Sequence, residues 1–379
     1  MFDASDHRYM RKAIALAKRS IGLASPNPAV GCVIVRDGSI VGQGYHEYAL
    51  REHAEIRALR AAGASARGAT AYVTLEPCCH FGRTPPCVGS LIEAGIRRVV
   101  VACMDPNPRV SGKGIAGLRT AGVQVDVGLL ERQAGELIEG FARHITSGMP
   151  LVVCKVGMSL DGKIGSGRPE GRWITSPEGR EFGQYLRLIA DAILVGIGTV
   201  LADDPELTYR ARAPKARSLT RVVLDPFLQT PPHARLFNNL SGAPVLLFCG
   251  PGASKTRRLK LERPGVEILT VSRRNDQLDL KAVLQELGKR NILTVLVEGG
   301  SNVHWSFVSE GLVDKFYFII APVVLGGLNA IPSVGGKGYK SVAEAPRFRI
   351  RSIRRVGPDI VLESYPSFSR SIISPWLCS

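Results

Sequence analysis

AVGCVIVRDGSIVGQGYH (29–46), followed by HAEIRALRAAG (53–63), decides the architecture of the first half of this chain. Two β-runs, 29–35 and 39–46, flank Asp37-Gly38, a pair that tolerates positive φ at both central positions of a tight hairpin. The segment that follows has helical periodicity and ends in glycine. Upstream, Tyr9, Met10, Ala13, Ile14 and Ala17 repeat on one face of a helix whose N-cap is expected at Asp6. Downstream, ATAYVTLEP reads as a strand, VGSLIEAG as a helix, RRVVVACM as a strand, IAGLRTAG as a helix and VQVDV as a strand. Such alternation implies a layered α/β domain.

A second pattern begins after Ser147-Gly148-Met149-Pro150, with strand LVVCKVGM and turn SLDGKIG. Its further strands are expected in DAILVG, RVVLD, PVLLFC, VEILTV, LTVLVEGG and KFYFIIA, with helices between several of them and a terminal hairpin formed by RFRIRSIRRV and DIVLESY. The most apolar stretch, Phe316 to Leu325, is too short to span a bilayer and reads as a buried strand interrupted by Pro322. A chain of 379 residues is longer than one core usually grows, so the expected division is 1–147, 148–366 and a loose tail at 367–379.

The chemistry of the first half lies in His53-Ala54-Glu55 and in TLEPCCHFGRTPPC (74–87). One imidazole, His53, and two thiols, Cys78 and Cys87, suit zinc, and three protein ligands leave a fourth position for water, as in a catalytic rather than a structural site. Such a metal lowers the pKa of its water toward neutrality. Glu55, two residues from His53, can reach that water without being a ligand and shuttle protons to a departing amine. His-x-Glu followed by Pro-Cys and a second Cys is the known signature of zinc deaminases. Cys32, Cys103, Cys154 and Cys249 sit inside apolar strands and read as core thiols. Cys79 has two readings, and it is left out of the ligand set because adjacent side chains rarely converge on one ion.

In these residues the chain resembles the bifunctional diaminohydroxyphosphoribosylaminopyrimidine deaminase and 5-amino-6-(5-phosphoribosylamino)uracil reductase family of bacterial riboflavin synthesis. Cytidine and tRNA adenosine deaminases keep two residues between the paired cysteines; the eight between Cys78 and Cys87 are similar to the riboflavin enzyme. The resemblance implies an α/β protein, a cytidine-deaminase-like three-layer domain followed by a dihydrofolate-reductase-like domain. It implies one Zn²⁺ and NADPH as cofactors, with Asn27, His46, His80 and Arg83 lining the deaminase pocket. In the reductase half it implies that Met158, Trp173, Thr199, Asp203, Gly299, Gly300 and Ser301 hold NADPH, and that Lys155, Arg187, Leu207, Arg210 and Glu298 face the substrate. Arg187 and Arg210 together suit a 5′-phosphate, and Lys155 and Glu298, in apolar strand-terminal segments, are expected to pair. Three positions depart from the family: Arg83 and Cys79, where lysine and serine are common, and Gly171, where serine is common two positions before the tryptophan.

The net charge of +16 divides into 18 basic against 13 acidic residues in 1–147 and 31 against 20 in 148–379. No nucleic-acid signature accompanies it, so small phosphorylated ligands are the expected partners, with no nucleic acid and no membrane. The opening residues lack the order of a signal peptide, and eight cysteines without one argue against a disulfide framework. A cytoplasmic location is the resulting expectation, and the resemblance implies a homo-oligomer acting on a phosphoribosyl-pyrimidine.

Overall fold

The computed structural model describes residues 2–81, 85–167, 173–274 and 277–367. The chain divides into two compact units, one of residues up to Gly148 together with Pro214–Arg217, the other beginning at Met149.

The first unit holds strands β1 (Gly31–Arg36), β2 (Ser39–Tyr45), β3 (Thr70–Leu75), β4 (Arg98–Cys103) and β5 (Gln124–Val127), and helices α1 (Ala4–Arg19), α2 (Ala54–Ala62), α3 (Cys87–Glu93), α4 (Lys113–Thr120), α5 (Glu131–Gly135) and α6 (Glu139–Ser147). The sheet order is β2-β1-β3-β4-β5, antiparallel across β2-β1-β3 and parallel thereafter. Asp37 and Gly38 turn the hairpin with φ of 50° and 76°. The start of α1 differs from the sequence expectation. Asp3 is the N-cap and Asp6, at the third helical position, returns a bond to the Asp3 backbone, completing a capping box. Asp6 is turned inward instead, onto Arg98 at 2.8 Å and Tyr72 at 2.8 Å. The sequence reading also stops at β5, whereas α5 and α6 follow.

Glycines set how closely the helices approach. A Cβ on Gly31 would stand 2.1 Å from the Ala13 carbonyl of α1, and one on Gly44 would stand 2.4 Å from the Ala54 carbonyl of α2. Gly44 pairs with Cys32 and Gly31 with Tyr45, so these two glycines lie on opposite faces of the sheet. Helices therefore cover both faces, giving three layers, and the bare strand draws the first turn of α2 down onto the sheet.

The second unit holds β6 (Leu151–Met158), β7 (Lys163–Gly165), β8 (Ala192–Gly196), β9 (Thr220–Leu224), β10 (Val245–Cys249), β11 (Val266–Thr270), β12 (Arg273–Arg274), β13 (Gln277–Leu278), β14 (Thr294–Val297), β15 (Lys315–Ile320), β16 (Ile331–Pro332), β17 (Phe348–Val356) and β18 (Asp359–Pro366). Its helices are α7 (Pro177–Ile189), α8 (Ile197–Asp203), α9 (Lys255–Leu261), α10 (Leu280–Lys289) and α11 (Ser301–Ser309). Nine strands form one sheet in the order β11-β10-β9-β8-β14-β6-β15-β18-β17, parallel from β11 to β15 and closed by the antiparallel hairpin β17–β18. β8, β9, β10 and β14 are buried throughout, which is why β8 and β10 read as continuous apolar runs rather than alternating ones, while β9 also buries Arg221. The buried Asp191 carboxylate accepts from the Leu293 and Thr294 N–H groups at 2.8 and 3.2 Å, tying the start of β14 to that of β8.

The expectation of a buried strand from Phe316 to Leu325 needs correction. β15 ends at Ile320, and Val323, Val324 and Leu325 are exposed. Of the expected tail, residues 368–379 lie outside the described residues. No helix among the described residues is long and apolar enough to cross a membrane.

Candidate active sites

In the first unit, His53 caps α2 and Cys87 opens α3, so two chain segments deliver their side chains from helix starts. Cys78 follows β3 by three residues, and the Cys87 N–H donates to its Sγ at 3.3 Å. His53 Nδ1 lies 3.2 Å from Cys87 Sγ and 3.5 Å from Cys78 Sγ. Tetrahedral zinc with bonds of about 2.0–2.3 Å holds its ligand atoms about 3.4–3.8 Å apart. The donor set and its spacing therefore fit that ion, and Cys79 is not part of the cluster. Hydrogen bonds from the Cys87 thiol and from His53 pull the Cys78 thiol down to about 4, toward the thiolate that binds metal.

These groups open on a cavity of about 240 Å³ lined also by Asn27, His46, Glu55, Glu76, His80, Asp105, Asn107 and Phe141. Glu55 is buried in the first turn of α2, and burial pushes its carboxyl pKa up. His46 Nδ1 donates to the Glu52 carbonyl at 2.8 Å, which leaves Nε2 to accept from the Asn27 amide at 3.0 Å. Burial lowers the His46 pKa, consistent with this neutral tautomer, and its ring meets His53 edge-on at 5.4 Å. Glu76 accepts from the backbone N–H groups of Asp105, Gly112, Gly114 and Ile115 at 2.9–3.2 Å. That carboxylate fixes the loop carrying Asp105 and Asn107 to the cavity wall. Burial raises the Asp105 carboxyl to about 6.

In the second unit, Glu298 follows the last residue of β14. Its Oε2 accepts from Lys155 Nζ of β6 at 3.1 Å, and both its oxygens accept from Arg187 of α7 at 2.8 and 3.0 Å. Burial opposes ionisation of Glu298, but the charges of Arg187 and Lys155 outweigh it and hold the carboxyl far below its ordinary range. Arg187 also donates to the Thr208 carbonyl at 2.7 Å, beside Leu207, which is buried with φ of 54°. Its fork is thus committed to Glu298 and to the backbone, so the expected sharing of one phosphate between Arg187 and Arg210 is not the arrangement seen. Arg210 is exposed, 3.7 Å from Glu206.

A cavity of about 1030 Å³ lies beyond the carboxyl ends of β8, β9 and β14, where the chain's strand order reverses. Thr199, Asp203, Gly299, Gly300 and Ser301 line it, together with Gly198, Pro226, Leu278 and Leu280. Gly300 (φ 73°) caps α11 and turns its N–H groups toward this space.

The description "Cytidine and deoxycytidylate deaminase zinc-binding region" matches residues 3–103, and "RibD C-terminal domain" matches residues 150–362. Riboflavin biosynthesis protein RibD of Aquifex aeolicus is 44% identical, over 94% of this chain and 97% of its own length. The chain belongs to the RibD family. RibD of Escherichia coli is 42% identical over 94% of this chain and 98% of its own. The structure of Acinetobacter baumannii RibD, form 1, superposes with a TM-score of 0.85 at 38% identity, covering 96% of this chain and 99% of that one. As a RibD protein, the chain is a bifunctional enzyme of riboflavin biosynthesis, joining a zinc-binding deaminase domain to a reductase domain that uses NADPH.

Among the RibD residues singled out in the sequence, Asn27, His46, His53, Glu55, Cys78 and His80 share the first cavity, and Cys87 lies buried behind it. Arg83 and Gly171 lie outside the described residues. Five of the seven expected cofactor residues line the second cavity. Met158 and Trp173 do not: Met158 is part-buried against the core, and Trp173 is exposed with the Arg180 guanidinium 5.0 Å from its ring centroid. Asp105, Asn107 and Phe141 were missed because no motif spacing joins them to His53 or Cys78, and Glu76 was missed although it stands two residues before Cys78.

Proposed function

We propose that residues 1–147 deaminate 2,5-diamino-6-(5-phosphoribosylamino)pyrimidin-4(3H)-one, and that residues 148–366 reduce the ribosyl chain of the product to give 5-amino-6-(5-phosphoribitylamino)uracil. A Thermotoga maritima structure with a TM-score of 0.83 at 35% identity carries the corresponding deaminase/reductase name. The observation that carries the reading is a His-Cys-Cys donor set at the wall of a cavity, beside a buried carboxyl.

His53, Cys78 and Cys87 are the proposed ligands of zinc, which would supply a bound water whose pKa is lowered toward neutrality. Glu55 would take a proton from the attacking water and deliver it to the leaving amine nitrogen, so that the new C–O bond replaces the C–N bond and ammonia leaves. Asn27, His46 and His80 orient the ring and sugar, and Arg83 supplies a cation for the phosphate.

For the second step Thr199, Asp203, Gly299, Gly300 and Ser301, with Met158 and Trp173 at the margin, are proposed to hold NADPH, the source of hydride for the sugar carbon. Lys155, Arg187, Leu207, Arg210 and Glu298 form the substrate side. There Arg187 orients Glu298, Glu298 fixes the Lys155 ammonium, and Arg210 reaches the 5′-phosphate.

Purified protein, the diaminopyrimidine ribotide and NADPH are mixed, and ammonia release and nicotinamide absorbance are followed together. Glu55→Gln is expected to bind zinc yet release no ammonia; full deamination would remove Glu55 from the mechanism. Lys155→Met is expected to lose reduction and keep deamination, and equal loss of both would contradict separate sites. Ammonia release from tRNA instead of the ribotide would favour a nucleic-acid deaminase. The chain is further proposed to act as a cytoplasmic homo-oligomer, which light scattering on the purified protein tests.

A further inference from the structure

The Lys155–Glu298–Arg187 cluster lies on the β14–β6 side of the nine-stranded sheet, so the reacting end of a dinucleotide belongs there. Its other end must then run across the carboxyl ends of β8, β9 and β10. The second cavity continues in that direction, with Leu224, Pro226, Leu278 and Leu280 as walls apolar enough for a purine.

At this far rim, next to Pro226, stands exposed Phe227. The Arg273 guanidinium covers its ring at 4.5 Å from the centroid, and Arg257 donates to its carbonyl at 3.2 Å. Gly250, directly after β10, makes room for this arrangement: a Cβ there would stand 2.1 Å from Arg273 Cδ. Arg273 also pairs through β12 with Leu278 of the cavity wall. The Asp225 carboxylate accepts from the Gln229 and Thr230 N–H groups and the Thr230 hydroxyl at 2.7–2.8 Å, Arg274 lies 3.9 Å from Asp279, and Arg258 donates to Thr270, Ile268 and Cys249.

We propose that Arg273 and Arg257, gathered around Phe227, recognise the 2′-phosphate of the dinucleotide and thereby set the preference for NADPH over NADH. The proposal rests on the reading that the second cavity holds the dinucleotide. One guanidinium over the Phe227 ring and a second on the Phe227 carbonyl suit a phosphate dianion on a ribose whose base packs on the adjoining apolar wall. NADH, which lacks that group, makes the same contacts elsewhere in the cavity and none here.

The test is calorimetric binding of NADP⁺ and NAD⁺ to the full chain. Arg257→Gln/Arg273→Gln is expected to weaken NADP⁺ by about ten- to a hundredfold, the range of charge-assisted hydrogen bonds. NAD⁺ affinity should stay unchanged, which also reports that the variant is folded. An equal change for both dinucleotides, or none for either, overturns the proposal. If the double variant fails to fold, Arg257→Gln alone, on an exposed side chain, must still lower the NADP⁺ to NAD⁺ affinity ratio, and an unchanged ratio overturns it. Gly198→Leu separates the two readings, because a Cβ there meets no atom within 4 Å and its side chain enters the cavity. If Gly198→Leu leaves both dinucleotides bound at full affinity, the cavity assignment fails. If it weakens both while the arginine variants keep the wild-type ratio, the 2′-phosphate proposal fails by itself.

Discussion

Glu298 concentrates the electrostatics of the second unit in one side chain. Its carboxylate, on a side chain 9% exposed, lies between Lys155 and Arg187 and pairs with both. Removing it leaves two cations facing each other in a poorly solvated place, a loss of about 3–5 kcal/mol for a broken buried ion pair. Glu298→Gln should therefore lower the stability of the second unit by that amount in urea unfolding at neutral pH. The acid dependence follows from the same pairing. The folded pKa lies below the ordinary 4.5, so the stabilisation is complete above about 4.5 and is lost as the pH falls toward the folded value. The glutamine variant should show a flatter stability curve below pH 4.5, and an unchanged acid slope would place that slope on other carboxylates. At this scale the sequence is legible where chemistry comes as a local pattern: His53, Glu55, Cys78 and Cys87 stand within one short motif, and apolar flanks mark Lys155 and Glu298 as a pair. Asp105 carries no such mark, and Glu76, though inside the second segment, owes its importance to backbone N–H groups more than 25 residues away in the chain, which only folding brings near.

At the scale of elements, α2 on β2 is the arrangement that places His53 and Glu55. Gly44 allows it, since any larger residue would push against the Ala54 carbonyl and the Arg57 Cβ, 2.4 and 2.7 Å from an added methyl. Gly44→Ala is expected to cost about 1–3 kcal/mol through overpacking and to lift the first turn of α2, so that zinc retention during dialysis against a chelator falls. Retention equal to wild type would mean the helix start is held by something other than contact with the strand. The elements read correctly from sequence are those with a local cause: Asp37-Gly38 for the hairpin, and unbroken apolar runs for β8 and β10. Errors fall where two causes compete. Asp3 and Asp6 are both capable caps, and the Arg98 and Tyr72 partners that turn Asp6 inward are far off in sequence. Hydropathy continues from Phe316 through Leu325, yet leaves no sign that the chain quits the sheet at Ile320. Strands of two or three residues, such as β12, β13 and β16, are too short to display any period.

Over the whole molecule, the family and both chemistries were legible, while the sheet order of the second unit was not, because period and composition describe a strand without naming its neighbours. That order has β14 (Thr294–Val297) between β6 (Leu151–Met158) and β8 (Ala192–Gly196). During synthesis, β8 leaves the ribosome about 100 residues and β6 about 140 residues before the strand that joins them, delays of about 5–30 s at usual elongation rates. For that interval each presents an open, apolar edge able to pair with a stranger. A chain halted at Lys289 should accordingly bind a holdase chaperone and precipitate when released, whereas one halted after β18 should remain in solution. Equal solubility would mean the early strands are shielded some other way. The keystone of the reductase half is thus among its last pieces to be made, and the vulnerable stage of this protein's life comes before its centre exists.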